Sequence, residues 1–134
     1  MSKYLKKYIR EICKIYGCSI KISNKNTGGL YWKGKMIISN DMTDVETISV
    51  FCHELAHYKN DIENKYPIYH KSNHYKAIEK MGRKNFARYA LNAELYTEKI
   101  ANQLSKIWFP THTFKSGYKN NQYWLGFFYG YYMV

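Results

Sequence analysis

"ISVFCHELAHYKND" (Ile48–Asp61) is the stretch on which the reading of the whole chain turns. Its centre, His53-Glu54-Leu55-Ala56-His57, follows the pattern H-E-x-x-H. On a helix, residues i and i+4 lie one turn apart on the same face, so His53 and His57 can aim imidazole nitrogens at one metal ion. Glu54 is rotated away from that point. It misses the metal yet can reach a water bound to it, as a general base must. A helix is expected here on separate grounds. Thr43 with Glu46 three residues later is a capping-box signature, and Asp44 suits a first turn facing the positive end of the helix dipole. Val45, Ile48, Cys52, Leu55 and Ala56 then recur at helical spacing. Cys52 falls on that apolar stripe and reads as a small core filler rather than a ligand.

The flanking sequence supplies the remaining elements. Leu5, Ile9, Ile12 and Tyr16 predict a first helix over residues 3–16, stopped by Gly17. "CSIKIS" (18–23) alternates as a half-buried strand does. "NKNTGG" is turn chemistry, and "LYW" and "KMIIS", separated by Lys33-Gly34, form a hairpin pattern. The expected result is a small, largely antiparallel sheet. Beyond Pro67, "HKSNHYKAIEKMGRKNF" begins another helix, and residues 86–108 make the longest uninterrupted helical pattern, halted before Pro110. The aromatic segment "YWLGFFYGYYMV" (123–134) reads most simply as a cover for the core. With 134 residues and no linker or internal repeat, the chain is expected to form one domain over 1–134.

A catalytic zinc takes three protein ligands and leaves a fourth position for water. The residues open as third ligand are Glu94, Glu98, His70 and His74. Glu94 and Glu98 are themselves i, i+4 and share a helix face.

The helix "VETISVFCHELAHY" (45–58), followed by "NAELYTEKIANQL" (92–104), resembles the ImmA/IrrE class of small bacterial and phage metallo-endopeptidases. Their pattern is H-E-x-x-H, then E-x-x-A-D/N-x-F-A-x-x-L. One register starts at Glu94, with Thr97 for Ala, Glu98 for Asp and Ile100 for Phe. The other starts at Glu98 and aligns Ala101, Asn102 and Leu104. The first is also similar to thermolysin-like enzymes, where an acid four residues beyond the ligand Glu orients a zinc histidine. The resemblance therefore implies Glu94 as third ligand with Glu98 behind it, the reverse order being the alternative. It implies an α+β zincin-like metallopeptidase fold, with Zn2+ held between two helices. The implied reaction is hydrolysis of a peptide bond in a protein substrate, such as a DNA-bound regulator of a phage or mobile element. "KMIIS" would be the edge strand along which the substrate backbone aligns. SprT-like proteases, which act near DNA and use a third histidine, are the runner-up, with His70 or His74 in that place. A proteolytically idle zincin fold that binds a partner or serves anti-defence is another, although it would have no need of Glu54. A nucleic-acid-binding protein with a closed structural zinc site is the last alternative.

Composition bounds the partners. Lys and Arg outnumber Asp and Glu by 21 to 10, a formal net charge of +11, which favours acidic partners and weak nucleic-acid contact. Three cysteines without paired spacing point to reduced thiols in a cytoplasm; the resemblance to ImmA/IrrE peptidases implies that of a bacterium or a phage-infected host. The start lacks the apolar stretch of a signal peptide, and no run approaches the ~20 apolar residues of a membrane span.

Overall fold

A computed structural model of the chain describes residues 1–24, 28–63, 71–114 and 127, with the backbone alone over 71–75. Within these residues the fold is α+β: helix α1 (Lys3–Tyr16), strands β1 (Ser19–Ser23), β2 (Gly29–Trp32) and β3 (Lys35–Ser39), then helices α2 (Asp44–Glu63), α3 (Lys71–Met81) and α4 (Arg83–Trp108).

Helix α1 forms where the spacing predicts it. The Ser2 hydroxyl accepts from the backbone N–H of Leu5 at 3.2 Å and caps the start. Gly17, at φ 78°, takes the left-handed conformation that ends the helix, and its N–H returns to the carbonyls of Cys13 and Lys14. Leu5, Ile9, Ile12 and Cys13 form the buried face.

The sheet differs from the expected antiparallel one. Its order is β1-β3-β2, with β2 antiparallel to β3 and β1 parallel to β3. The hairpin is real: Lys33 and Gly34 form a two-residue connection, both at positive φ (44° and 81°), whose twist matches the flanking strands. β1, however, crosses to the far side of β3 instead of pairing with its sequence neighbour. The burial of β3 gives the reason. Met36 and Ile38 are 1% and 0% exposed, so the most apolar strand takes the centre and has both its edges paired. "KMIIS" is therefore not an edge strand; among the described residues β1 and β2 are the edges, and β2 lies against α2.

Among the described residues, the helices pack on one face of this sheet. Ile20, Ile22, Met36 and Ile38 meet Ile9 and Ile12 of α1, Phe51, Cys52 and Leu55 of α2, and Ile100, Ala101 and Leu104 of α4 in a single core. Thr43 caps α2 as the sequence suggests, its hydroxyl accepting from the N–H of Glu46 at 3.2 Å. The buried stripe of α2 is broader than the sequence pattern and is rotated from it. Val45 is 66% exposed in the first turn, whereas Thr47, Phe51, Glu54 and Asn60 are buried with Cys52, Leu55 and Ala56. A helix pressed between a sheet and a second helix buries two sides, so its polar residues are drawn inside as well. Gly82, at φ 84°, separates α3 from α4. Among the described residues no helix is long and apolar enough to cross a membrane. The aromatic segment 123–134 lies outside the described residues except for Phe127, which is exposed.

Candidate metal centre

α2 and α4 make the most extensive helix–helix contact in the fold, and the candidate site sits between them. His53 and His57 project from α2 with their Nε2 atoms 3.1 Å apart. Glu94 of α4 faces them, its Oε2 lying 3.2 Å from His53 Nε2 and 3.5 Å from His57 Nε2. These three donors form a group able to hold one metal ion. The spacing is compatible with tetrahedral coordination: bonds of ~2.0–2.1 Å at tetrahedral angles put neighbouring ligand atoms about 3.3 Å apart. Glu94 Oε2 is buried and, among the described residues, accepts no well-directed hydrogen bond. A buried carboxylate oxygen left in that state is costly unless a cation takes it up.

Glu98, one turn further along α4, lies on the other side of His53, with its Oε2 3.6 Å from Nδ1. The two glutamates thus address opposite nitrogens of one ring. Of the two registers open in the sequence, this geometry brings Glu94 to the metal-facing nitrogens and Glu98 behind the imidazole. His70 lies outside the described residues, and His74 belongs to α3, where only the backbone is described.

The electrostatics follow from this packing. Burial works against a charged His53, but the Glu94 and Glu98 carboxylates outweigh it and push the imidazole up to about 10. Burial likewise opposes charge on Glu94, yet His53 and His57 hold its carboxyl far below the usual range. Glu54 goes the other way. Burial raises its pKa against the lowering influence of the two histidines, as suits a proton acceptor.

Several contacts that position the site have no motif in the sequence. Tyr31 of β2 stacks its ring parallel to His57, with centroids 6.2 Å apart. Its hydroxyl donates to Asp61 at 2.6 Å and accepts from the N–H of Gly34 at 2.9 Å, tying the hairpin to α2. Gly29 lies so close to α2 that a Cβ built there would sit 2.3 Å from Val50 Cγ1 and 3.0 Å from Glu54 Cγ. After α4, His112 shares a hydrogen bond with Ser49 at 2.9 Å. Two residues further on, Phe114 joins Gly29, Ser49, Val50, His53 and Glu54 around a cavity of about 270 Å³. The only signals were indirect: a Gly-Gly pair that reads as a turn, and aromatics among many. Tyr58 of α2 donates to the carbonyl of Tyr16 at 2.6 Å, and Tyr96 of α4 to Glu63 at 3.3 Å. Tyr89 stacks on Phe86.

Comparison of the chain with protein-family models, with curated proteins and with solved structures finds no match.

Proposed function

We propose that the protein is a zinc-dependent endopeptidase of zincin-like fold, with His53, His57 and Glu94 holding Zn2+ and Glu54 as general base. The observation that carries this reading is the donor triangle, with sides of 3.1, 3.2 and 3.5 Å, and with a buried carboxylate of raised pKa on the same helix. When bound, zinc would lower the pKa of a coordinated water toward about 7 and polarise a carbonyl.

The chain's own residues would do the rest. Glu54 would take the proton of the attacking water and return it to the leaving amine. Glu98, behind Nδ1 of His53, would keep that ring aimed at the metal, and Tyr31 would hold the plane of His57. Phe114, Val50 and Gly29 would exclude bulk water from one side of the cavity. A peptide would be presented along the neighbouring β2 edge. By the resemblance to ImmA/IrrE peptidases, the substrate would be a DNA-bound regulator of a phage or mobile element.

The test is metal content and hydrolysis measured on the same preparations. Wild type should bind one zinc per chain, and His57→Ala and Glu94→Ala should lose it. Glu54→Gln should keep the zinc while peptide hydrolysis falls by about 10²–10⁴-fold. Wild type unable to take up zinc would end the proposal.

A further inference from the structure

The positive charge of the chain is not spread evenly. Residues 1–39 carry nine Lys and Arg against a single acid, Glu11, a net +8 of the total +11. Residues 18–39, which contain the whole sheet, have four lysines and no acid. The metal-bearing helix α2 is the reverse, with Asp44, Glu46, Glu54, Asp61 and Glu63 against Lys59. Residues 64–134 carry eleven Lys and Arg against three acids, so the acidic character is local to α2, and the sheet belongs to the basic remainder.

One face of the sheet is packed by helices; the strand registers define the other. Ser19 and Lys21 of β1 stand beside Lys35 and Ile37 of β3, which stand beside Trp32 and Leu30 of β2. This face is solvent-accessible: Trp32 is 44% and Leu30 54% exposed, and Lys21 and Lys35 are exposed too. Neither Lys21 nor Lys35 forms an ion pair with a described residue. Lys33, in the hairpin turn, places its ammonium 5.5 Å from the centre of the Trp32 ring. Three strands make a platform about 10 Å wide, with an accessible indole at one edge and ammonium groups beside and across from it.

We infer that this outer face of the sheet, centred on Trp32 and flanked by Lys21, Lys33 and Lys35, is a docking face for single-stranded nucleic acid. A flat aromatic offers stacking to any base, and adjacent lysines take the phosphates on either side of it. Single strands suit the face better than a duplex, whose base faces are stacked on each other and closed to an indole. No residue of the metal site contributes to this face. Its inward neighbours Gly29 and Tyr31 serve that site instead, so this face uses none of the residues proposed to hold the metal or move its proton.

The experiment is fluorescence anisotropy of a labelled oligothymidylate titrated with the full-length protein across a range of KCl concentrations. The wild type is compared with Trp32→Ala, Trp32→Phe and the double variant Lys21→Ala/Lys35→Ala, with Lys59→Ala on α2 as control. Zinc content and far-UV circular dichroism report whether each variant is folded. The expected result is salt-dependent binding, weakened about tenfold or more by Trp32→Ala and largely restored in Trp32→Phe. The double variant should lower the salt slope by about 1.4, the share of two phosphates on a single strand. Lys59→Ala should bind like wild type. Absence of binding at low salt would overturn the inference. So would binding that ignores both Trp32→Ala and the double variant, since the contact would then lie elsewhere. Trp32-dependent binding to phosphatidylserine vesicles without binding to the oligonucleotide would overturn it in favour of an anionic membrane.

Discussion

At the scale of single residues, His53 is the most informative group. Its two nitrogens face two different carboxylates, and in the metal-free site those carboxylates hold it protonated at neutral pH. A bound zinc would need the neutral ring, so on the proposed function its uptake at pH 7 would release a proton. Calorimetry in buffers of different ionisation enthalpy should show this release, and His53→Ala should abolish both it and tight binding. The same pair makes metal-free stability depend on pH. The pKa of His53 in the folded chain lies above its ordinary value, so its contribution is complete below about 6.5 and is lost as pH rises through about 10. Glu94 is shifted downward, so its contribution is present above its ordinary pKa and is lost as pH falls below it. Glu54, raised by burial, adds a loss of stability as pH rises above its ordinary value, so the melting temperature of the metal-free protein should be highest near roughly pH 4.5 and decline on both sides. Glu94 and Glu98 separate by consequence. Glu94→Ala should remove the metal, whereas Glu98→Ala should weaken its affinity by about 10–100-fold and leave one zinc per chain at saturation. Equal loss in the two variants would contradict the division of roles.

At the scale of elements, β2 sets the position of Glu54. Only a residue without a side chain lets this strand lie against α2 at that point, because any Cβ at Gly29 would collide with Val50 and press on Glu54. Gly29→Val should cost about 1–3 kcal/mol of stability through overpacking. It should also slow hydrolysis while zinc remains bound, measured as kcat with metal content on the same sample. The elements also divide what could be read in the sequence from what could not. His53, Glu54 and His57 were legible because four-residue spacing on a helix fixes a shared face without reference to anything distant. The hairpin was legible because Lys33-Gly34 is a local device. Strand order was not. The alternation of β1 says which side chains face inward but not which strand lies alongside, and the position of β3 follows from burial across the whole core. Gly29 was misread for the same reason: a Gly-Gly pair announces a turn, while the close approach of a distant helix leaves no local mark. The choice between Glu94 and Glu98 needed the rotation of α4 relative to α2, a tertiary quantity.

At the scale of the whole molecule, the metal would be a clamp between the two helices that share the core. Ligands that bind only the folded state add stability in proportion to the logarithm of their saturation, about 2.7 kcal/mol at a hundredfold excess over Kd. For a chain of 134 residues, chelation of zinc should therefore lower the melting temperature by roughly 10 °C. Re-addition of zinc should restore it. A melting temperature indifferent to chelator would mean that α2 and α4 are held by Phe51, Leu55, Ala101 and Leu104 alone.

The two-residue turn at Lys33-Gly34 has a consequence beyond joining two strands. Side chains on a strand alternate, so a shift of one position exchanges its two faces. β2 sends Gly29 and Tyr31 toward Glu54 and His57, and Leu30 and Trp32 outward. The turn therefore works as a length gauge. One residue more, and the side chain of Leu30 would be driven into the space that only a glycine can occupy, while Trp32 would displace the ring that braces His57 and turn it out into water. The smallest loop in the protein keeps its two surfaces from trading places.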